Sequence, residues 1–207
     1  MGDYRMSEFK TVLPGLFDED FVRGNIPMTK REIRMAVLTE LALSPDSRVL
    51  DVGAGTGSIS IEAALMAPEG RVWAIEKEPE GIELIKENAH RLGATNLTVL
   101  SGTAPEEFTH VPEELDAVIV GGSGGKLEEI LSLSGDRLRV GGRLVATAVT
   151  TGTVDRVCRY YGERRAEYEF WGYQTAITRL RPAGAHFLFQ AQNPVYILVA
   201  VKKKSDN

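Results

Sequence analysis

The sequence contains 207 residues, of which 43% are hydrophobic and 26% are charged, which is typical of one globular domain and excludes a wholly disordered chain. Its formal net charge is −5, which argues against a general binder of nucleic-acid phosphates, because such proteins carry an excess of basic residues. The single cysteine, Cys158, excludes an internal disulfide bond and a cysteine-based metal site.

The first part of the chain has the character of an irregular leader. Residues 1–28 contain scattered prolines and glycines without a sustained period, and they include no apolar signal core. The longest apolar run, 195–201, is far shorter than the ~20 residues that a membrane span needs. We therefore expect a soluble, cytoplasmic protein with no membrane partner, one domain over 29–201 and a basic, polar tail over 202–207.

After the leader, apolar periodicity predicts helices and strands in alternation. Thr29 and Glu32 fit a capping box, in which each side chain bonds to the backbone of the other residue. Helical spacing then extends the first helix to about Leu43, before Pro45. The predicted strands are 48–52, 71–75, 96–101, 116–120, 143–149, 167–180 and 195–201, and the later helices are 58–66, 82–92, 127–138 and 154–161.

This order of elements predicts the fold class. Strands that alternate with helices form a mostly parallel sheet covered by helices. The predicted fold is therefore α/β, a doubly wound, Rossmann-like sheet of seven strands. No good helix separates the last two strand-like runs, so we expect an antiparallel edge strand there.

A glycine-rich loop follows the first predicted strand. The segment Asp51-Val52-Gly53-Ala54-Gly55-Thr56-Gly57 lies where a doubly wound sheet binds its ligand, at the carboxyl end of that strand. Glycines permit a sharp turn and a close approach of backbone N–H groups to a ligand. Glu76 ends the second strand, 23 residues after Gly53, which is near the offset at which a carboxylate binds ribose hydroxyls.

The spacing of the glycines separates two classes of nucleoside cofactor. A dinucleotide-binding loop requires a third glycine at position 58, whereas this chain has Ser58 there and its third glycine is Gly57. The pattern with Glu76 resembles the class I methyltransferases that use S-adenosylmethionine, in which the glycine loop approaches the methionyl part of the cofactor. A nicotinamide cofactor and a purely structural turn are the alternatives.

Three further segments resemble one family of these enzymes. They are Gly24-Asn25-Ile26-Pro27-Met28-Thr29-Lys30-Arg31-Glu32, Val120-Gly121-Gly122-Ser123-Gly124-Gly125 and Gln192-Asn193-Pro194-Val195. With the glycine loop they resemble the CbiT family, the decarboxylating part of precorrin-6Y methyltransferase in cobalamin biosynthesis, over about residues 13–201. The resemblance implies methylation at carbon 15 of (cobalt-)precorrin-6B, coupled to decarboxylation of the carbon-12 acetate. It also implies a homotetramer, with a separate carbon-5 methyltransferase as a further candidate partner.

The resemblance carries over to a set of cofactor-binding residues. It implies that Thr29 contacts S-adenosylmethionine together with the glycine loop, Glu76 and Ala104. Thr103 stands where many members have an Asp that accepts from adenine, so backbone groups near Ala104 are expected to hold the adenine. The alternative for Thr103 and Ala104 is a loop that starts a helix at Pro105. The candidate set is Thr29, Asp51, Gly53, Ala54, Gly55, Thr56, Gly57, Glu76, Thr103 and Ala104.

Two features are candidates for substrate binding. The loop Gly121, Gly122, Ser123, Gly124 and Gly125 follows the fourth strand, and its N–H groups can form a nest for a carboxylate or simply a structural turn. All nine basic residues from Arg137 to Arg181 are arginines, and the stretch has a net charge of +5. Arginine binds carboxylates in a planar fork, so this cluster either binds the acetate and propionate arms of the substrate or forms a solvated face.

The sequence predicts no catalytic side chain and no metal site. His90, His110 and His186 lack metal-ligand spacing. Asn193-Pro194-Val195-Tyr196 is similar to a motif of amino-group methyltransferases, but it precedes the last strand, so we interpret it as a turn. One alternative function is another small class I methyltransferase, acting on transfer-RNA adenine or protein carboxylate. A different class is an NAD-dependent oxidoreductase or a nucleoside-binding module.

Overall fold

A computed structural model describes residues 14–204 of the chain. The expectations for residues 1–13 and 205–207 therefore lie outside the described residues. Within 14–28 the chain forms one short 3-10 helix, Asp18–Asp20, and buries Phe21 and Met28 in the core. No helix among the described residues has the length and apolar character that crossing a membrane requires.

The core of the molecule is a seven-stranded sheet, which confirms the predicted α/β, doubly wound fold. Its strands, numbered in chain order, are β1 Arg48–Val52, β2 Arg71–Glu76, β3 Leu97–Ser101, β4 Leu115–Val120, β5 Leu138–Ala148, β6 Tyr168–Thr175 and β9 Val195–Lys202, and β7 Thr178–Ala183 and β8 His186–Ala191 lie outside it. The strand order is β3-β2-β1-β4-β5-β9-β6. In this sheet only β9 runs against its neighbours, since it pairs antiparallel with β5 and with β6.

Five α-helices in the described part of the chain cover the two faces of this sheet. They are α1 Arg31–Leu41, α2 Ser58–Met66, α3 Pro79–Leu92, α4 Leu127–Arg137 and α5 Thr151–Gly162. α1, α2 and α3 pack on one face and α4 and α5 on the other, because successive strand residues point to opposite faces. In β1, for example, Leu50 packs with the core beneath α4 and α5, whereas Val49 packs with the core beneath α1 and α2.

The position of the antiparallel strand differs from the expectation. β9 lies second from the edge, because β6 pairs along its outer side and becomes the edge strand. Because β9 is antiparallel to both of its neighbours, β6 runs parallel to β5.

The predicted capping box at the start of α1 is wrong. The helix begins at Arg31 with Lys30 as its N-cap, and no side chain of Lys30 caps it. Asp18 performs this role from outside the helix, since its Oδ1 accepts from the Arg31 N–H at 2.9 Å. Glu32 faces Arg179 instead of the backbone at position 29.

The predicted strand over 167–180 is also wrong, because it contains the end of one strand and the start of another. β6 ends at Thr175, and a separate two-stranded hairpin follows, formed by β7 Thr178–Ala183 and β8 His186–Ala191. The hairpin does not join the main sheet. Most of its large apolar side chains are exposed, namely Leu180, Phe187, Leu188 and Phe189.

Candidate active site

The carboxyl ends of β1, β2 and β4 meet around a cavity of about 210 Å³. It brings together Gly53, Glu76, Thr103 and Ala104, four of the predicted cofactor-binding residues. The other predicted loop residues, Asp51, Ala54, Gly55, Thr56 and Gly57, do not line this cavity, and neither does Thr29. The lining consists of Val52, Gly53, Ile75, Glu76, Lys77, Gly102, Thr103, Ala104, Gly122, Ser123 and Gly124.

The glycine loop requires its glycines for two physical reasons. Gly53, Gly55 and Gly57 have φ angles of +72°, +59° and +73°, in the left-handed region that other residues rarely adopt. In addition, a Cβ at Gly53 would lie 2.7 Å from the backbone nitrogen of Gly122. The loops after β1 and β4 are thus in backbone contact at the edge of the cavity.

Glu76 connects the glycine loop to the start of α3. One carboxylate oxygen accepts from the Gly55 N–H at 2.6 Å, and the other accepts from the N–H groups of Lys77 and Glu78, both at 2.9 Å. Three backbone donors therefore fix a buried carboxylate in the wall of the cavity. Gly81 leaves room for it, since a Cβ there would lie 2.9 Å from the Glu76 Cγ.

Asp51 supports the loop from within the core. It is buried at the end of β1, and its Oδ2 accepts from the Ser60 hydroxyl of α2 at 2.5 Å. Burial raises the pKa of this carboxyl to about 6, and the nearby Glu76 charge acts in the same direction, whereas the Ser60 hydrogen bond opposes them. Asp51 therefore joins β1 to α2, and it does not border the cavity.

Replacing Asp51 by asparagine is expected to change the pH dependence of stability. Because the folded pKa is raised, the contribution of this carboxyl to stability is fully present below pH 3.8 and is lost as the pH rises through about 6. An asparagine side chain does not titrate. The free energy of unfolding of Asp51→Asn, relative to that of the wild type, should therefore increase by about 1 kcal/mol as the pH rises from about 5 to about 8. Urea unfolding of both proteins at the two pH values measures this difference, and a difference independent of pH would contradict the shifted pKa.

Thr103, which lines this cavity, and Lys126, which follows the loop after β4, both bind Glu106. The Thr103 hydroxyl donates to one Glu106 oxygen at 2.8 Å, and the Lys126 ammonium pairs with the other. The hydrogen bond from Lys126, followed by that from Thr103, lowers the pKa of Glu106 to about 2. The exposed ion pair joins the loops that follow β3 and β4.

A second cavity, of about 460 Å³, lies on the other side of the loop after β4. Thr29 lines this cavity rather than the first, as do Lys30 and Glu32 from the start of α1. Asn193, which the sequence analysis interpreted as part of a turn, is also in its wall. The remaining lining residues are Pro27, Met28, Ile33, Gly121, Thr147, Val149, Ile177, Gln192 and Val195.

The loop 121–125, which the sequence offers as a candidate for substrate binding, lies between the two cavities. A third cavity of about 150 Å³ shares Gly122 and Ser123 with the first and Gly121 with the second. Gly124 lines the first cavity, and Gly125 lines none of the three. The Gly121 and Gly122 N–H groups donate to the Val52 carbonyl at 2.9 and 3.2 Å, so they anchor the loop to β1.

Comparison with known proteins finds a family match over most of the chain. The model of the precorrin methyltransferase domain matches residues 19–202. The chain belongs to this family. It is 36% identical over 197 residues to the probable cobalt-precorrin-6B C(15)-methyltransferase (decarboxylating) of Sulfurisphaera tokodaii, covering 92% of this chain and 98% of the relative. It is 38% identical over 189 residues to the cobalt-precorrin-6B C(15)-methyltransferase (decarboxylating) of Salmonella typhimurium, covering 91% and 96%.

A solved structure of the family has the same fold. The precorrin-6y C5,15-methyltransferase of Geobacter metallireducens superposes with a TM-score of 0.86 at 33% identity. The match covers 92% of this chain and 100% of that chain. The family resemblance seen in the sequence is therefore confirmed.

In this member of the family, none of the nine arginines lines the three cavities around the loop after β4. Three of them, Arg156, Arg159 and Arg164, line a separate cavity of about 420 Å³ together with residues of α4 and α5. Seven of the nine side chains bind carboxylates or carbonyls of this chain, for example Arg139 with Asp116 and Arg143 with the Glu40 carbonyl. Ion pairs and hydrogen bonds within the chain thus hold most of the cluster, and its binding of substrate stays a prediction.

The three histidines and two aromatic residues of β6, Trp171 and Tyr173, also lie outside these three cavities. None of His90, His110 and His186 lines one of the three cavities. Within residues 14–204, no group of three or more His, Cys, Asp or Glu residues has the arrangement needed to hold a metal ion. Trp171 packs against the core beneath α1, and the Tyr173 hydroxyl donates to Glu40 at 3.0 Å.

Proposed function

We propose that this chain is an S-adenosylmethionine-dependent methyltransferase that methylates carbon 15 of (cobalt-)precorrin-6B and decarboxylates its carbon-12 acetate. One observation carries the proposal: in a chain of the precorrin methyltransferase family, a glycine-lined cavity with an acid at the end of β2 adjoins a larger cavity across one loop. The glycine-lined cavity has a carboxylate and backbone groups that can bind a nucleoside, and the larger cavity has room for part of a methyl acceptor. Two adjoining sites are what a group transfer requires.

The residues of the first cavity fit the cofactor chemically. Glu76 offers a fixed, buried carboxylate for ribose hydroxyls, and Gly53 leaves the backbone of the loop uncovered. Gly102 and Ala104 provide backbone groups on the side expected for adenine, because the Thr103 hydroxyl is already bonded to Glu106. When bound, S-adenosylmethionine supplies an electrophilic methyl group on a sulfonium.

The chain itself contributes orientation rather than a nucleophile. Backbone contact between Gly53 and Gly122 holds the loops after β1 and β4 in a fixed relative position. A methyl donor bound beside one loop and a methyl acceptor bound beside the other are therefore held in a fixed orientation to each other. The apolar side chains Met28, Ile33 and Val149 suit the hydrocarbon of a macrocycle and exclude water from it. The conjugated macrocycle can take up the electron pair released with carbon dioxide, so no side chain need do so.

The direct test is mass spectrometry of cobalt-precorrin-6B, and of its metal-free counterpart, after incubation with the protein and S-adenosylmethionine. The expected product has gained one methyl group and lost carbon dioxide. Gly55→Asp, which places a side chain at a φ of +59° beside Glu76, should abolish both changes. An unchanged substrate, with S-adenosylhomocysteine still bound, would overturn the corrin assignment and leave the alternative methyltransferases. A thermal shift with NAD but not with S-adenosylhomocysteine would overturn the cofactor assignment.

We also propose that the protein assembles with copies of itself, as a tetramer, through the β7–β8 hairpin. Phe189 is 81% exposed. Leu180, which pairs with it across the hairpin, and Phe187 lie on the same face, and each is more than half exposed. Soluble proteins rarely expose such a contiguous apolar patch unless it binds another surface. The unpaired edges of a two-stranded hairpin also invite pairing with an identical strand.

Removing the apolar side chains of the hairpin is expected to dissociate the assembly. The double variant Phe187→Ser, Phe189→Ser should elute as a smaller species than the wild type in size exclusion with light scattering. Val140→Ser is the control, because Val140 is also exposed but lies on β5, away from the hairpin. A double variant with the mass of the wild type would show that the hairpin is not the interface.

A further inference from the structure

The larger cavity has two charged residues in its wall. They are Lys30 and Glu32, which stand at the start of α1. Every other lining residue within 14–204 is uncharged. The electrostatics of this cavity therefore depend on whether these two charges neutralise each other or are held apart.

Arg179 of the hairpin neutralises Glu32. Its Nε and one terminal nitrogen donate to the two oxygens of Glu32 at 2.9 and 2.6 Å, in the forked geometry that arginine makes with a carboxylate. The second of these nitrogens also lies 3.3 Å from Asp18. The Arg179 hydrogen bond keeps the pKa of Glu32 below its usual value, so Glu32 stays an ionised partner of Arg179.

Lys30 has no such partner in the described part of the chain. Among residues 14–204, no carboxylate lies within ion-pair distance of its ammonium. Its backbone is fixed, since the Lys30 carbonyl accepts from the N–H groups of Ile33 and Arg34, both at 2.9 Å. Within the described residues, Lys30 thus brings a positive charge without a carboxylate partner to the lining of a partly apolar cavity.

We propose that Lys30 binds a carboxylate arm of the acceptor substrate, and that Arg179 is a positioning residue that prevents Glu32 from competing for Lys30. The inference rests on the proposed function, whose substrate is a polycarboxylate macrocycle. A free cation in a wall of low polarity binds an anion more strongly than one in open solvent. Arg179 acts at a distance, because it touches Glu32 and does not line the cavity.

The arm that Lys30 binds is one that the product keeps. An ion pair stabilises a carboxylate in the ground state, so a cation bound to the departing acetate would oppose the loss of carbon dioxide. Lys30 is therefore a residue of substrate recognition, and its removal should act on binding rather than on the chemical step.

The first test replaces Lys30 by glutamine and measures steady-state turnover of cobalt-precorrin-6B. We expect KM to rise roughly 10- to 100-fold, as for loss of a hydrogen bond to a charged group, while kcat and the Kd for S-adenosylhomocysteine stay at the wild-type values. Lys30→Arg should restore most of the affinity. Lys86→Gln, which removes an exposed lysine of α3 paired with Glu83, is the matched control and should leave KM unchanged.

The second test asks whether Arg179 acts by neutralising the charge of Glu32 or only by supporting the fold. Arg179→Gln should also raise KM, because it releases Glu32 toward Lys30, and adding Glu32→Gln to that variant should bring KM back toward the wild type. A merely structural role for Arg179 would give no such rescue. If the wild type is active, a wild-type KM in Lys30→Gln would overturn the inference. A KM that Glu32→Gln does not bring back in the Arg179→Gln variant would also overturn it. An inactive wild type would instead overturn the proposed function.

Discussion

Replacing Gly53 by alanine is expected to weaken cofactor binding by at least about 100-fold, the effect of displacing binding groups by roughly 1 Å. The added Cβ would lie 2.7 Å from the Gly122 nitrogen and 2.8 Å from its Cα, both of them backbone atoms that no rotamer change can move. The φ of +72° adds strain for any residue with a Cβ. Relief requires the loops after β1 and β4 to separate, which opens the cavity that both of them line. Titration calorimetry with S-adenosylhomocysteine measures the loss.

The matched control for this variant is Gly152→Ala in α5. A Cβ at Gly152 meets nothing within 4 Å, and alanine is favoured over glycine inside a helix by about 0.5–1 kcal/mol. This variant should therefore bind S-adenosylhomocysteine as the wild type does, with equal or greater stability. If Gly53→Ala folds and keeps the wild-type Kd, the contact between the two loops is not needed for the site.

The sequence predicted those parts of the fold and site that depend on neighbouring residues. The positions of the glycine loop and Glu76 could be predicted because a strand, its loop and the next helix are consecutive along the chain. Gly93 at the end of α3 is a similar case, since a glycine directly after a helical pattern commonly ends the helix in the left-handed conformation, and Gly93 adopts it. Most predicted element boundaries match the structure closely for this reason.

The errors arose where distant parts of the chain decide the outcome. The position of β9 between β5 and β6 depends on pairing across the sheet, which periodicity does not encode. Likewise, Asp18 replaces the predicted cap of α1 from 13 residues away. The hairpin, in contrast, has a local signal in the sequence, namely Gly184 in the turn that joins β7 to β8. Its φ of +61° is one that glycine adopts readily in such turns.

The ionic cluster around Arg34 is the clearest feature that local patterns missed. Arg34 occupies a position on α1 that helical periodicity assigns to the core, and it is fully buried. Its guanidinium donates to Glu62 of α2 at 2.8 Å and to Asp18 at 2.7 Å, and both carboxylates are also buried. It further donates to the carbonyls of Thr29 and Leu16, at 2.7 and 2.6 Å. One side chain thereby ties residues 16–29 to the first two helices.

Replacing Arg34 by leucine is expected to destabilise the protein by about 3–5 kcal/mol, the cost of leaving buried charges without their partner. The loss comes from Asp18 and Glu62, whose carboxylates would remain buried and uncompensated, rather than from lost packing volume. Urea unfolding of the wild type and variant measures the difference as a shift in midpoint at constant slope. Arg159→Leu is the control, because its ion pair with Asp155 is exposed and such pairs contribute less than about 1 kcal/mol.

A triple variant separates the charge effect from the effect of shape. Adding Asp18→Asn and Glu62→Gln to Arg34→Leu removes the uncompensated charges while keeping the size of the side chains, so it should recover a large part of the lost stability. No recovery would mean that the carboxylates themselves hold the leader, for example through the bond of Glu62 to the Gly15 N–H at 2.6 Å. Because Arg34 also fixes the carbonyl of Thr29, which lines the larger cavity, the single variant should lose substrate affinity even under conditions in which it stays folded.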